Sequence, residues 1–208
     1  MLPRKMSRPS RQAYFADSGG GALRLENRHT GEVLLMRRVR HDDQVVLEIE
    51  GSLPPKREGP PLHAHLMERE EGEVVSGVLS AIVGGKTIKV AAGEHAIFPV
   101  GVPHRWWNAE DQTLRAKGRV TPAIDLDRYL QAIFAVVNAG PAGRVPLFYV
   151  AHVAYRHRRT QRLATMPLAV QRIVFPVVVF VGWLLGKYRG DAWPGAPKSC
   201  PGAIEPQG

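Results

Sequence analysis

The sequence predicts a mainly β fold: an antiparallel barrel or sandwich carrying a C-terminal α-helical extension. Three observations predict it. Between residues 22 and 121, short runs rich in β-branched and aliphatic residues are punctuated by Gly, Pro and Asp turn signals, at a spacing suited to an all-β domain. At Asp125 the apolar period lengthens to that of an amphipathic helix. Further on, Ile173 to Gly186 form an unbroken apolar run of 14 residues. The 208 residues are 44% hydrophobic and 23% charged, enough for one packed domain with appendages, which excludes wholesale disorder and a polytopic membrane protein.

The elements follow in order. Residues 1–21 carry Arg4, Lys5, Arg8 and Arg11 but no apolar stretch of secretory type, and read as a basic arm without fixed structure. Across 22–121, the runs ALRLEN, EVLLMRRV, QVVLEIE, LHAHLM, GEVVSGVLSAIV, KTIKVA, GEHAIFPV, HRWWNA and TLRAKGRV predict about nine or ten strands. A Pro/Gly loop spans Leu53 to Pro61, and Gly84-Gly85 marks a hairpin. Asp125 is placed to cap a helix whose stripe is Leu126, Tyr129, Leu130, Ile133, Phe134 and Val137, ending before Gly140-Pro141. Pro146 opens a second helix running through Arg162, and a third starts near Thr165. Residues 122–190 thus form the helical extension; 191–208, with Trp193 and the GAPKSCPG segment, read as a disordered tail.

The net charge of +9 is unevenly spread: +4 in residues 1–12, −1 in 13–121 and +6 in 122–208. A nucleic-acid domain would carry its basic stripe on the folded body, so nucleic acid is not favoured as a partner. Cys200, alone in the tail, excludes an internal disulfide and a cysteine-based zinc site, and a cytoplasmic location is expected. The apolar run is flanked by Arg172, Lys187 and Arg189 and contains Pro176 and Trp183. A bilayer core needs about 20 helical residues, so a packed or dimer-interface helix is favoured. The other two readings are an interfacial anchor through residues 166–189, which would place the protein at the membrane, and a true span.

The chemistry concentrates in three histidines and a glutamate. His63 and His65 are two apart, so both imidazoles leave the same face of one strand. Glu70 follows after a turn, and His104 comes after the Pro99, Gly101 and Pro103 turn. In a closed barrel the four can converge on one point, and three imidazoles with a carboxylate suit a divalent transition metal: Fe, Mn, Ni, Cu or Zn. Strand parity puts Trp106 on the face of His104, and Met67 on that of His63 and His65. Met67, His95 and Trp106 are therefore candidate pocket residues. Glu68, Glu71 and Glu73 read as a solvated acidic turn, and His29, His41, His152 and His157 as surface or loop residues.

Taken whole, the pattern resembles the cupin superfamily, specifically the small single-domain bacterial members. That family's first motif is matched by His63, His65, Glu70 and Gly77, with Gly59 standing loosely for the leading glycine; its second, Gly-x5-Pro-x-Gly-x2-His-x3-Asn, is matched by Gly93, Pro99, Gly101, His104 and Asn108. On this chain's composition the second motif arises by chance about once in 10⁴ chains. The resemblance implies a jelly-roll β-barrel with a metal at His63, His65, Glu70 and His104, turn roles for Gly77, Gly93, Pro99 and Gly101, and a structural Asn108.

Two functional readings follow from the resemblance. One is a metal-dependent dioxygenase or lyase acting on a small molecule inside the barrel; whether the protein is an enzyme at all stays open at this point. The other is a non-catalytic module that holds a metal or small ligand and docks its helical tail to a membrane or a second copy, a homodimer being expected.

Overall fold

In the computed structural model, residues 21–142, 144, 146–189 and 193–196 are described. The basic arm at 1–20, Cys200 and most of the segment read as a disordered tail lie outside the described residues.

Among the described residues, eleven strands precede the first helix: β1 Leu23–Glu26, β2 Val33–His41, β3 Gln44–Leu53, β4 Arg57–Glu58, β5 His63–His65, β6 Arg69–Ser76, β7 Val78–Val83, β8 Lys86–Ala91, β9 His95–Phe98, β10 His104–Asn108 and β11 Leu114–Thr121. The extension adds α1 Leu126–Ala139, α2 Leu147–Arg156, a twelfth strand β12 Gln161–Leu163, and α3 Leu168–Leu184. Two sheets form, ordered β1-β2-β3-β11-β6-β9 and β12-β5-β10-β7-β8, with β4 also on β10. All the pairings are antiparallel.

Alternation decides which faces meet. Leu53, Val74, Ala96, Phe98 and Leu114 of the first sheet pack against Leu79, Ala81 and Val90 of the second to make one core cluster. Farther along the same inner face of β3 and β11, Leu47 and Val120 join Leu34 and Met36 of β2 beneath Leu126 and Phe134 of α1. The second sheet does not reach this end, so the helix covers it. The apolar stripe foreseen for α1 is the stripe that packs.

Several local expectations are corrected. The strand GEVVSGVLSAIV breaks at Gly77 into β6 and β7. The predicted second helix stops at Arg156, and residues 161–163 become β12. The reason is tertiary: the edge of β5 needs partners, and Gln161, Arg162 and Leu163 supply them opposite His65, Ala64 and His63. Leu66 N–H donates to the Thr160 carbonyl at 2.7 Å and Ala164 N–H to that of Leu62 at 2.8 Å, closing both ends of the short ladder.

Asp125 occupies the N-cap position of α1 without capping through its side chain. It instead accepts a 2.6 Å hydrogen bond from Nδ1 of His157, a histidine that is buried and not on the surface. Glu68 makes the cap. It is wholly buried rather than solvated, and Oε1 accepts from the N–H groups of Ile124, Asp125 and Leu126 at 2.9, 3.1 and 3.4 Å. Its Oε2 accepts from Gln161 Nε2 of β12 at 2.9 Å. His29 also has a partner: its Nε2 lies 3.1 Å from the carbonyls of Val137 and Gly140 at the C-terminus of α1.

Trp193, read as part of a disordered tail, stacks on Tyr149 with ring centroids 5.9 Å apart and meets Tyr188 and His152 edge-on or tilted. The helix α3 packs on α2 and buries Gln171, Phe175 and Gly182, while Ile173, Val177, Phe180, Trp183 and Leu184 are exposed. Among the described residues, no helix is long and apolar enough to cross a membrane.

Candidate metal centre

The site begins with β5. Because its period is two, His63 and His65 project to one side while the wholly buried Ala64 faces the other. His104 opens β10 and stands directly across the ladder from His63. Register is set by the turn before β10: Gly101, with φ 75°, adopts a backbone conformation natural only to glycine, and its N–H donates to the His65 carbonyl at 2.7 Å. That bond ties the end of β5 to the start of β10. At the far end of β10, buried Asn108 donates through Nδ2 to the carbonyls of Leu53, Pro54 and Gln112. The strand is thus anchored at both ends.

The result is a tight group of three imidazoles. Ring centroids of His63, His65 and His104 lie 4.4 to 5.1 Å apart, and one nitrogen from each falls within 4.8 Å of the others. His63 Nδ1 donates to the Pro61 carbonyl at 2.8 Å and His104 Nδ1 to the Val102 carbonyl at 2.9 Å, so both rings keep the lone pair on Nε2. Among the described residues, His104 Nε2 is buried without a hydrogen-bond partner. A buried acceptor left open costs roughly 1–3 kcal/mol unless something fills it. Glu70 Oε2 lies 3.2 Å from His65 Nε2 and 3.9 Å from His104 Nε2, at the side of the imidazole triangle.

Electrostatics favour neutral His63 and His104 rings beside an ionised carboxylate, while His65 is drawn the other way by that carboxylate. Burial, together with the charges of His104 and His65, pushes His63 down to about 3. Burial also lowers His104, against the pull of Glu70. Burial works to lower His65 too, but the hydrogen bond and charge of Glu70 outweigh it and leave it raised. For Glu70, burial acts upward, and the His65 hydrogen bond with the surrounding imidazoles overcomes it and holds the carboxyl below its ordinary range. The Nε2 lone pairs of His63 and His104, the His65 ring and ionised Glu70 oxygen beside them, and an unfilled buried nitrogen form a donor set that fits a divalent cation.

A cavity of about 450 Å³ opens from this point between the sheets and under α1. Trp106 lines it, and Phe98 stacks on His104 at 4.6 Å. Two candidates fall away. Met67 is 52% exposed because β5 ends at His65, so the parity carrying it inward stops before it is reached. His95 is an outward residue of β9, its side chain 61% exposed and 3.8 Å from Glu73. Composition alone did not reveal Glu32, a buried carboxyl on the cavity wall, which burial pushes up to about 7.

Two antiparallel sheets enclose a histidine triad that could hold a metal ion. Residues 50–117, about a third of the chain, match the family model for the cupin domain, and the chain contains a cupin domain. The solved structures it resembles do so over part of its length. KdgF from a Halomonas species is 18% identical over 45% of this chain and 83% of that one, with a TM-score of 0.38. A sugar phosphate isomerase of the cupin superfamily from Silicibacter pomeroyi is 19% identical over 44% of this chain, with a TM-score of 0.38. The oxalate decarboxylase of Lactobacillus farciminis, in a formate complex, is 18% identical over 50%, with a TM-score of 0.43. The chain spans 59% of the Silicibacter protein and 32% of the decarboxylase. No curated protein matches it significantly.

Proposed function

We propose that this protein is a metal-dependent cupin enzyme, an oxygenase or lyase acting on a small molecule held in the barrel cavity. The observation that carries the reading is the closure of His63, His65 and His104 to within 4.8 Å with His104 Nε2 buried and open. The three Nε2 atoms and Glu70 Oε2 would hold a divalent transition metal, which supplies Lewis-acid or redox chemistry at the cavity's polar end. The chain's own residues do the rest. The Pro61 and Val102 carbonyls hold His63 and His104 in the binding tautomer. Glu70, ionised and 26% exposed, can take a proton from a bound substrate on the carboxylate oxygen not given to the metal. Phe98 and Trp106 exclude water from one wall.

Elemental analysis of the purified protein should find one divalent transition metal per chain, lost in the Glu70→Ala, His104→Ala double variant. Undiminished metal in that variant would overturn the site. Oxygen uptake and product formation with small aromatics, diketones and thiols then test the chemistry. A metal-loaded protein inert to all of them would be a binding module instead.

The tail supports a second part of the reading: attachment of α3 to an anionic lipid surface. Its exposed face is apolar, and residues 128–189 carry nine basic side chains and no acidic one. A second copy meeting at this face would oppose like charges, whereas anionic headgroups complement them. Sedimentation with phosphatidylserine vesicles at low salt should pellet the protein, and an Ile173→Ser, Phe180→Ser variant should stay in solution. Concentration-dependent homodimerisation without pelleting would overturn lipid attachment and leave α3 as a dimer interface.

A further inference from the structure

We infer that the recess between α2, β12 and α3 is an anion-binding entrance to the barrel cavity, taking a small phosphate- or carboxylate-bearing ligand. The recess holds about 460 Å³ and adjoins the main cavity, with His63, Tyr129, Ala154 and Leu163 lining both. A molecule seated in it therefore lies against a candidate metal ligand.

Its walls carry one sign of charge. Arg158 and Arg159 come from the turn after α2, Arg162 from β12 and Arg172 from α3, while no carboxylate lines it. Arg158 is engaged locally, its Nη1 donating to the Tyr155 carbonyl at 2.7 Å and its guanidinium lying over the Tyr155 ring. For Arg159, Arg162 and Arg172, no ion pair occurs among the described residues. Basic residues after a helix are ordinarily explained by the dipole of that helix. That explanation reaches Arg158 and Arg159 but not Arg162 or Arg172, which sit on other elements.

Arginines from the α2 turn, β12 and α3 line one recess without a facing carboxylate, and planar guanidinium suits phosphate and carboxylate oxygens. The recess exists because residues 161–163 pair with β5 as a strand, which brings Arg162 beside β5 opposite Ala64, with its neighbour Leu163 opposite His63. The inference deepens the proposed function by naming its substrate class, and rests on that reading for the reaction but not for the binding.

Titration calorimetry of the full chain with inorganic phosphate tests it. Saturable binding is expected at 50 mM salt, weaker at 200 mM. The Arg159→Gln, Arg162→Gln pair should lose at least about tenfold in affinity and Arg172→Gln about threefold, one or two charge-assisted hydrogen bonds being removed in each. Metal content should not change in either. Phosphatidylcholine vesicles with and without phosphatidic acid form a second arm: binding to phosphatidic acid but not to free phosphate, lost in the arginine pair, assigns the recess to a lipid headgroup. Native affinity in both arginine variants would overturn the inference. So would phosphate binding abolished by His104→Ala alone, which would put the anion at the histidines. If His104→Ala keeps phosphate binding, the entrance stands whatever the metal analysis shows.

Discussion

Replacing Glu68 by alanine should detach the extension from the barrel. Its carboxylate is wholly buried and accepts from three consecutive backbone amides, those of Ile124, Asp125 and Leu126, and from the Gln161 amide. One side chain therefore joins the β5–β6 turn to the first turn of α1 and to β12. Alanine leaves four donors, two of them only part-buried, facing a small void. A donor left open costs about 1–3 kcal/mol, but water and backbone relaxation recover part, so a loss of about 3–5 kcal/mol is expected. For a chain of this size, that lowers the melting temperature by roughly 8–15 °C. Glu68→Gln keeps Oε1 as acceptor and lets the Gln161 amide turn over, and should cost about 1–2 kcal/mol. Urea unfolding followed by circular dichroism measures both. Because Gln161 stands opposite His65 in the β12–β5 ladder, the alanine variant should also bind metal more weakly. An alanine variant within about 1 kcal/mol of native, with metal affinity unchanged, would refute the reasoning.

Glu32 predicts a pH dependence. Its folded value of about 7 stands above the ordinary 4.5, so the folded state binds the proton more tightly than the unfolded chain. The stability it allows is complete below about pH 4.5 and is lost as pH rises through 7, a difference of about 3 kcal/mol. Glu32→Gln should remove that slope and be the more stable protein at pH 8; stability curves for the two proteins that run parallel from pH 5 to 8 would contradict this. The metal, vesicle and phosphate experiments already described complete the set.

Whatever depends on spacing along one element is legible in the sequence alone. His63 and His65 share a face because strand side chains alternate, and Gly101 marks a turn because its backbone angle excludes other residues. The stripe of α1 from Leu126 onward declares its buried side through its period. Parity failed where an element ended early: Met67 lies beyond the last residue of β5, and no local signal marks that end. Glu68 resembled its acidic neighbours in the sequence because its four donors lie 56 to 93 residues away in the chain.

The strands, the turns and the shared face of His63 and His65 are properties of short stretches of chain, governed by steric preference and side-chain alternation, and the residues state them directly. The conversion of residues 161–163 from helix to strand, the burial of His157 against Asp125, the packing of Trp193 and the gathering of arginines into one recess arise only when distant segments meet. A strand edge with unpaired amides and a carboxylate enclosed by apolar groups override local propensity, because leaving either unsatisfied costs more than the few tenths of a kcal/mol per residue by which propensity differs.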